Sequence, residues 1–521
     1  MVTIDEAFRH WVNRTPDAIA LHGDDAQLTY RELDTAATRL ADRLRHLGVR
    51  HQEMVGVAAV PSTQFVVNVL AVLRAGAAYV PFDLGYPAER LDHMRRDSGI
   101  RVIIADSGEY LPAGLADCRI VDPHRPAGDT TPVGPLPDPV PPTSGDLAYA
   151  MYTSGSTGLP KAVLVEQRNV TAFCRAQDLA DLGPGRTMLQ SSSFSFDASV
   201  LEIWGTLLNG ACLAFPPEDV LCAADLAHAV VARKATGLWL SAGLFHQLVE
   251  EDPRALAHLR NVVTGGDVVS PTQVRRALAA NPGLTVTHVY GPTETTVVAV
   301  RQILTDPARL ESPLPLGTPL PGVRIHVVDE EGRPLPTGET GELLIAGDTV
   351  SRGYHDRPDL TARRYVPEPG TGRRAYRSGD LGRLRPDGTV EFAGRADHQV
   401  KIRGYRIEPG EIEAALGALD GVRASLVVAR PAPPGDKRVV AYVVPDTRVR
   451  PTATGLHRAL ADRLPQHMLP AEYVALHALP LDANGKEDRR RLPEPQWGRG
   501  VLADLDPATA PHPATRGPNS P

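Results

Sequence analysis

The chain has few cysteines and no strong excess of charge of either sign. Its 521 residues include four cysteines, Cys118, Cys174, Cys212 and Cys222, and no two of them form a Cys-x-x-Cys pair. This argues against a zinc site or a disulfide framework and favours a reducing compartment. The 55 Lys and Arg residues stand against 62 Asp and Glu residues, which gives a net charge of −7. Neither nucleic acid nor an anionic membrane is therefore expected as a partner.

Long apolar runs are missing as well. No stretch approaches the roughly 18 consecutive apolar residues of a transmembrane helix. The N-terminal residues MVTIDEAFRHWVNRTPDAIAL lack the charged start and the apolar centre of a secretory signal. With 42% hydrophobic and 22% charged residues, the composition is typical of a soluble globular protein. We therefore expect a cytoplasmic protein.

Apolar, strand-like stretches alternate with amphipathic, helix-like stretches in the first part of the chain. Candidate strands are 54–60 (MVGVAAV), 101–106 (RVIIAD) and 237–241 (GLWLS), and a candidate helix is 30–48. This alternation predicts an α/β fold with layered, parallel sheets.

The pattern changes in the later part of the chain. Glycines punctuate short alternating stretches over 317–394, which predicts antiparallel strands and hairpins. A compact α+β segment is predicted for 398–492, with helices near 409–419 and 454–464. Residues 493–521 contain seven prolines and little apolar material, so we expect a disordered tail.

The stretch YTSGSTGLPK, residues 152–161, concentrates backbone amides, hydroxyls and one cation directly after a candidate strand, 146–152. A turn of this composition can fold its N–H groups around an anion, and Lys161 adds a point charge. The stretch fits neither the Walker loop nor the G-x-S-x-G elbow of hydrolases. We predict a phosphate-binding loop. A surface linker is the alternative for such a cluster taken alone.

Four further polar clusters follow along the chain. They are HVYGPTETT (288–296), YRSGDLGRL (376–384), GRADHQVKIRGYRIEPGEIE (394–413) and NGKEDR (484–489). The first places Thr293 and Glu294 on a turn after a strand-like stretch, and the second presents Asp380 after a glycine turn. Each cluster alone could be a helix cap, a turn or a solvated hairpin.

In this order and spacing the clusters resemble the acyl-adenylate-forming superfamily, and most closely the amino-acid adenylation domains of nonribosomal peptide synthetases in stand-alone form. The resemblance extends from LTYREL (28–33), through LRAGAAYVPFD (73–83), to NGKEDR. It implies the adenylate-forming enzyme fold. A large N-terminal core of layered α/β sheets with a β-rich subdomain would span 1–396, and a small mobile α+β domain would span 397–492.

The resemblance also implies ATP and Mg²⁺ as cofactors and assigns the residues that meet them. Lys161 and the residues before it would form the ATP phosphate loop, which comprises Thr153, Ser154, Gly155, Ser156, Thr157 and Gly158. Thr293 would touch the α-phosphate and Glu294 would hold Mg²⁺. Lys486 would bridge the substrate carboxylate and the α-phosphate.

The remaining nucleotide contacts come from the other clusters. The resemblance implies that Tyr290, followed by Gly291, stacks on adenine. Asp380 would accept hydrogen bonds from the ribose hydroxyls, with Arg395 nearby. Asp397 would be the hinge of the mobile domain.

A substrate pocket follows from alignment to the family. Its lining would be Asp197, Ala198, Leu201, Trp239, Val263, Gly265, Val289, Val297, Val298 and Lys486. Asp197 would bind the substrate ammonium, although capping of a helix near Ala198 is an alternative role. The rest of the lining is mainly apolar, so we expect a branched aliphatic amino acid, valine or isoleucine ahead of leucine.

The implied function is ATP-dependent activation of this amino acid as aminoacyl-AMP. The acyl group would then pass to the phosphopantetheine thiol of a separate carrier protein, because nothing after residue 492 can form a carrier domain. A small MbtH-like activator protein is a further expected partner. The alternatives are an acyl- or aryl-acid CoA ligase and, more remotely, a catalytically silent scaffold. Four positions depart from the family pattern, namely Ala162 for glycine, Gln167 for histidine, His288 for asparagine and, mildly, Ser378 for threonine.

Overall fold

The computed structural model describes residues 2–106, 111–125, 140–155, 158–176, 179–217, 222–397, 399–402, 404–433, 437–446, 451–480 and 487–497. The chain divides into two compact units. The first comprises Met1–Leu84, Met94–Tyr152 and Ala162–Asp397, and the second comprises Gly85–His93, Thr153–Lys161 and His398–Pro521. The limits predicted from the sequence, 1–396 and 397–492, stay a prediction.

The largest sheet of the first unit has a parallel centre and antiparallel edges. In the described part of the chain its strands, numbered along the chain and given in spatial order, are β15 (Thr318–Pro319), β14 (Val300–Leu304), β13 (Thr285–Tyr290), β12 (Asn261–Gly265), β11 (Gly237–Ser241), β9 (Thr187–Leu189), β10 (Cys212–Ala214), β1 (Ile19–His22) and β2 (Gln27–Thr29).

A second sheet of the first unit is mostly parallel. Its described strands are, in spatial order, β18 (Gly353–Tyr354), β8 (Lys161–Glu166), β7 (Leu147–Thr153), β4 (Ala78–Phe82), β3 (Met54–Ala58), β5 (Val102–Ile104) and β6 (Arg119–Val121). These two sheets confirm the α/β layering that the alternating pattern predicts.

The third sheet is antiparallel, as predicted for 317–394. It contains β16 (Val323–Val328), β17 (Gly341–Gly347), β20 (Arg374–Leu384) and β19 (Tyr365–Pro367), and β21 (Val390–Arg395) pairs with β20. The second unit has a hairpin, β22 (Val400–Ile402) with β23 (Tyr405–Ile407), and a sheet of β24 (Val422–Pro431), β25 (Lys437–Pro445) and β26 (Glu472–Ala475).

The helices lie between these strands. They are α1 (Ile4–Arg14), α2 (Tyr30–His46), α3 (Thr63–Arg74), α4 (Ala88–Ser98), α5 (Gln167–Phe173), α6 (Ala198–Val200), α7 (Ala223–Arg233), α8 (Ala242–Glu251), α9 (Pro271–Ala280), α10 (Pro358–Arg364), α11 (Pro409–Gly417) and α12 (Ala453–Ala461). In the ranges given above, no helix combines the length and the apolar character that crossing a membrane would need.

Helix α2 illustrates how the sequence sets these elements. Thr29 and Glu32 form a capping box at its start, where each side chain accepts a hydrogen bond from the other residue's backbone N–H. The apolar positions from Tyr30 to Leu44 face the core, and Gly48, with φ of 84°, follows the helix end. The predicted helix 30–48 therefore ends two residues early.

Each unit has its own apolar core. In the first unit the core packs large side chains such as Trp204, Tyr30 and Phe65 between the sheets and helices. In the second unit, residues of α11, α12 and the three-stranded sheet form a separate cluster. Trp497, in the segment predicted as a tail, packs against an apolar cluster of the second unit, and 498–521 lie outside the described residues.

Candidate active site

Three neighbouring parallel strands carry four of the predicted substrate-binding residues, two at mid-strand and two at or next to a carboxyl end. Trp239 on β11 lies beside Val263 on β12, and Gly265 on β12 lies beside Val289 on β13. Residues in register on neighbouring strands point to the same face of a sheet, as do residues two apart on one strand. The register therefore places all four residues on one face, with Gly265 and Val289 at the carboxyl ends of the strands, where open α/β sheets bind ligands.

Position 265 requires glycine because the backbones of β12 and β13 approach each other closely there. A Cβ atom at this position would lie 2.3 Å from the carbonyl oxygen of Val289. Any side chain here would push β12 and β13 apart, because a backbone atom cannot turn away as a flexible side chain can. The glycine thus keeps free the face on which the sequence places the substrate.

The other apolar residues of the predicted pocket are buried in the same cluster as Trp239. They are Ala198, Leu201, Val297 and Val298. Val297 has φ of 71°, a left-handed conformation that a β-branched residue rarely adopts. Gly291 leaves room for it, because a Cβ at 291 would lie 2.6 Å from the Val297 carbonyl oxygen. Backbone strain of this kind is concentrated at functional sites.

Asp197 immediately precedes α6, and the interpretation that it merely caps this helix is wrong. Its side chain makes no cap hydrogen bond, and its backbone is already helical, with φ of −66° and ψ of −22°. Its carboxylate instead accepts a 2.5 Å hydrogen bond from the hydroxyl of Thr293. A buried carboxylate offers the counter-charge that an ammonium group needs.

A short 3₁₀ helix, Thr293–Thr295, follows β13 and carries two of the predicted catalytic residues. Glu294 is fully buried, and its carboxylate accepts a 2.6 Å hydrogen bond from the phenol of Tyr354. The backbone N–H of Ser351 donates to the Glu294 carbonyl oxygen at 2.9 Å. No local sequence pattern marks Tyr354, because 60 residues separate it from its partner.

Glu294 supplies a carboxylate that suits Mg²⁺. Among the residues that the structure describes, no group of three or more His, Cys, Asp or Glu side chains could form a complete metal cage. Mg²⁺ is commonly held by one or two carboxylates together with substrate phosphates, so the donor set fits an ion that arrives with a nucleotide.

The predicted adenosine-binding residues form one continuous hydrogen-bonded chain. The Tyr290 phenol donates to the Asp380 carboxylate at 2.6 Å, and Arg395, directly opposite Asp380 on β21, donates to its other oxygen. Arg395 also donates to both carboxylate oxygens of Asp397, at 2.7 and 3.0 Å. Burial raises the pKa of Tyr290 well above its ordinary value, so the phenol keeps its proton and remains a donor.

The prediction that Asp380 follows a glycine turn is wrong. Strand β20 continues through this position, and its register against β17 shifts there. Leu344 pairs with Arg377 and Glu342 pairs with Leu381, so Leu343 faces three residues of β20. Gly379, with φ of 73°, allows this bulge, which redirects the strand without ending it.

In the second unit, the predicted phosphate loop makes its own set of contacts. The Ser154 hydroxyl donates to the Arg406 carbonyl oxygen at 2.7 Å, and the Lys161 ammonium donates to the Ser154 carbonyl oxygen at 2.6 Å. A Cβ at Gly155 would lie 1.9 Å from the Leu159 carbonyl oxygen, so the tight turn requires glycine there. Ser156, Thr157 and Lys486 lie outside the described residues.

Two observations on this loop fit an anionic ligand. The backbone N–H of Gly155 donates to the carboxylate of Glu411 at 3.1 Å, so this N–H already binds an anionic group. The Thr153 hydroxyl is buried and has no hydrogen-bond partner among the described residues. A phosphate could satisfy such a hydroxyl. Glu411 is a second residue that the sequence analysis missed, and it also forms a 2.8 Å ion pair with Arg90.

Three of the departures from the family pattern lie in defined local environments. Ala162 is fully buried in β8, and the Gln167 side chain accepts a hydrogen bond from the backbone N–H of Ile4 at 3.1 Å. The His288 Nδ1 atom lies 3.2 Å from the Pro315 carbonyl oxygen, and burial lowers the pKa of His288 to about 4. The ring is therefore neutral at pH 7, with its proton on Nδ1 and an acceptor at Nε2.

Glu202 is a third residue that sequence reasoning missed, although it lies in the same stretch as Asp197. Its buried carboxyl group accepts hydrogen bonds from the backbone N–H groups of Ser191 and Ser192 at 3.0 and 3.1 Å. The Ser191 hydroxyl lies 2.6 Å from the carbonyl oxygen of Trp239. Glu202 thereby supports the strand that carries the pocket tryptophan, and burial raises its pKa to about 7.

Comparisons with known proteins identify the family to which this chain belongs. The family model for AMP-binding enzymes matches residues 8–355, and the model for their C-terminal domain matches 411–486. Tyrocidine synthase 3 of Brevibacillus parabrevis is 39% identical over 96% of this chain, and gramicidin S synthase 2 of Brevibacillus brevis is 38% identical over 97%. The matched stretch is only 8% of the first synthase and 11% of the second, so the chain spans a small part of these relatives.

Solved structures show the same fold. PA1221 in its holo form, described as an NRPS protein containing adenylation and PCP domains, is 31% identical with a TM-score of 0.84, covering 94% of this chain and 83% of that one. An o-succinylbenzoate CoA synthetase from Bacillus subtilis is 22% identical with a TM-score of 0.82, covering 93% and 97%, and shares the fold alone. The predicted adenylate-forming fold is confirmed, and the chain belongs to the family of AMP-binding enzymes.

Proposed function

We propose that this chain activates an amino acid with ATP, forming aminoacyl-AMP and diphosphate. The observation that carries the proposal is the Asp197 carboxylate, which is buried, has no capping role and accepts a hydrogen bond from Thr293. A simple carboxylic acid offers nothing to neutralise that charge, whereas the ammonium of an amino acid does. The nonribosomal peptide synthetases that this chain resembles support the same substrate class.

The substrate we propose is a branched aliphatic amino acid, valine or isoleucine ahead of leucine. Trp239, Val263 and Val289 share one face of the sheet, and only the Trp239 indole among them has a side-chain hydrogen-bond donor. A polar substrate side chain would be buried without partners, at a cost of about 1–3 kcal/mol. Discrimination among the aliphatic residues should be modest, because one methylene is worth only about 1–3 kcal/mol.

In the reaction, a carboxylate oxygen of the amino acid attacks the α-phosphorus of ATP. The new bond is an acyl–phosphate anhydride, and the bond from the α-phosphorus to the diphosphate breaks. Thr293, Lys161 and Lys486 would donate to the oxygens on which charge increases, where one well-placed donor is worth about 3–4 kcal/mol. Mg²⁺, held by Glu294 and the phosphates, would neutralise part of this charge.

The nucleotide would be positioned by the Tyr290–Asp380–Arg395 chain. Because Tyr290 and Arg395 both donate to Asp380, its carboxylate has a fixed orientation before any ribose binds. Such preorganisation reduces the entropy that binding must overcome. We infer that Asp380 accepts from the ribose hydroxyls and that the Tyr290 ring stacks on adenine.

A thiol consumes the activated acyl group in the second half-reaction. Its sulfur attacks the acyl carbon, a thioester forms and AMP leaves. We propose that this thiol is the phosphopantetheine of a carrier protein acting in trans, with Asp397 as hinge between the two half-reactions. An MbtH-like activator remains a proposed partner, to be tested by adding such a protein to the exchange assay.

ATP–diphosphate exchange across twenty amino acids tests the proposal. Labelled ATP should form with valine, isoleucine or leucine. The Lys486→Ala variant should lose this exchange. Arg490→Ala, at a side chain that is 98% exposed, is the matched control in the same unit and should keep it. Exchange with no amino acid, together with AMP release from a carboxylic acid and CoA, would instead identify a CoA ligase.

A further inference from the structure

The hydroxyl of Thr293 is engaged by the residue that we assign to the substrate ammonium. Thr293 donates to Asp197 at 2.5 Å, and both residues are only 7% exposed. Hydrogen bonds to a carboxylate are shorter and roughly twice as strong as neutral ones. This bond therefore links the proposed amino-acid site directly to the proposed phosphate site.

A threonine hydroxyl carries one proton and can donate only one hydrogen bond. In the proposed function, Thr293 donates to the α-phosphate. It cannot do so while its proton points at Asp197. A nucleotide that binds alone must therefore either break a charge-assisted bond or forgo the Thr293 contact.

An ammonium changes this balance. When it pairs with Asp197, it neutralises the carboxylate and weakens the attraction that holds the Thr293 proton. We propose that the Thr293–Asp197 hydrogen bond couples the two substrate sites, so that binding of the amino-acid ammonium releases the Thr293 hydroxyl for the α-phosphate. This inference rests on the proposed function and adds a specificity device to it.

Two consequences follow from the coupling. A carboxylic acid that lacks the ammonium leaves Thr293 bound to Asp197. It is therefore rejected twice, because the nucleotide makes weaker contacts and because the acid itself binds less tightly without an ion pair to Asp197. Linkage also requires that the nucleotide raise amino-acid affinity by the same factor by which the amino acid raises nucleotide affinity. Couplings between sites are commonly about 5–150-fold.

Calorimetry with an ATP analogue that carries a methylene between the α- and β-phosphorus measures this factor without turnover. Its Kd is determined alone, with the amino acid selected by the exchange assay, and with the corresponding des-amino acid, which for valine is 3-methylbutanoate. We expect the amino acid to tighten nucleotide binding at least about fivefold. The des-amino acid should have almost no effect.

Variants at Thr293 separate the hydrogen bond from simple charge effects. Thr293→Val removes the hydroxyl at nearly constant volume, and its coupling factor should fall close to one. Thr293→Ser keeps a hydroxyl and should keep the coupling. If Thr293→Val retains the full wild-type factor, the inference is wrong even though the exchange assay still supports the proposed function.

Asp197→Asn gives a second, independent result. The amide oxygen still accepts from Thr293 but holds its proton less strongly, and a negative charge near the phosphates is removed. Nucleotide affinity without amino acid should therefore rise in this variant, while amino-acid affinity falls. Weaker nucleotide binding by folded Asp197→Asn protein would contradict the coupling. Absence of amino-acid exchange in the wild type would overturn the proposed function, and this inference with it.

Discussion

The phenol of Tyr354 donates a 2.6 Å hydrogen bond to the carboxylate of Glu294, and both side chains are buried. The Tyr354 ring packs edge-on against Tyr365, with 5.5 Å between ring centroids. The phenol is thus held by its neighbours, and it fixes one oxygen of the carboxylate proposed to hold Mg²⁺. Second partners of this kind commonly orient metal ligands.

We predict that Tyr354→Phe weakens metal binding by leaving Glu294 less firmly oriented. The ring packing stays, but the carboxylate loses a donor, at a cost of about 1–3 kcal/mol. The Mg²⁺ concentration that gives half-maximal exchange should rise, and Mn²⁺ binding followed by electron paramagnetic resonance in the presence of ATP should weaken.

The control for this prediction is Tyr365→Phe. It removes the hydroxyl of a neighbouring buried tyrosine. This hydroxyl lies 2.6 Å from the hydroxyl of Ser351. An equal increase in the Mg²⁺ requirement in both variants would show that the aromatic cluster, and not the Tyr354 bond, determines metal affinity.

A second prediction concerns the Asp380 carboxylate. Tyr290→Phe keeps a ring that can stack on adenine but removes the 2.6 Å bond that orients Asp380. We expect nucleotide affinity to fall about fivefold, the equivalent of about 1 kcal/mol. Tyr290→Leu should reduce it further because the ring is lost as well. Calorimetry with ATP and without amino acid would measure both, and equal affinities in the two variants would argue against stacking.

The site shows what a sequence can and cannot predict. A short apolar run predicts β11 and alternating stretches predict the antiparallel sheet, because burial on both faces or on one face imposes these patterns on the chain. Gly379 suits both a turn and a bulge, so the sequence predicts a turn before Asp380. Only the pairing of β20 with β17 decides in favour of the bulge. Tyr354 and Glu411 left no local signal, since their importance arises from partners that only the folded chain brings near.

A third prediction tests the close approach at the pocket. Gly265→Ala would place a Cβ 2.3 Å from the Val289 carbonyl oxygen, so the strands must shift. Overpacking of this kind costs about 1–3 kcal/mol of unfolding free energy. Gly183→Ala is the matched control, because a Cβ there meets no atom within 4 Å. Urea unfolding should separate the two variants, and equal stability would mean that the strands yield easily.

A fourth prediction is a pH dependence that Glu202 imposes on stability. Burial raises its pKa from an ordinary value of 4.5 to about 7, so the folded protein binds a proton that the unfolded chain releases. The contribution of Glu202 to the free energy of unfolding is fully present below about pH 4.5. It is lost as the pH rises towards 7, by up to about 1.4 kcal/mol per pH unit.

Glu202→Gln should remove this dependence. The amide cannot titrate, and its carbonyl oxygen can still accept the hydrogen bonds from the backbone N–H groups of Ser191 and Ser192. Thermal unfolding between pH 4.5 and 7.5 gives the difference in unfolding free energy between Glu202→Gln and the wild type. This difference should shrink on the acid side. The control Glu250→Gln changes an exposed carboxyl group and should leave the wild-type slope in place. Parallel curves for wild type and Glu202→Gln would mean that Glu202 stays ionised when folded.

The last prediction is that Trp239 limits the size of the substrate. Its side chain shares a face with Val263 and Gly265, so Trp239→Ala would enlarge the pocket where we place the end of the aliphatic side chain. We expect kcat/KM to shift towards leucine and phenylalanine, with a loss for valine because its methyl groups would face a void, at about 0.8 kcal/mol per methylene-sized contact. Leu238→Ala is the control: this neighbouring residue is equally buried but belongs to a different apolar cluster. It should lower stability without changing the order of preference among amino acids. An unchanged preference in Trp239→Ala, or the same shift in Leu238→Ala, would place the specificity pocket elsewhere.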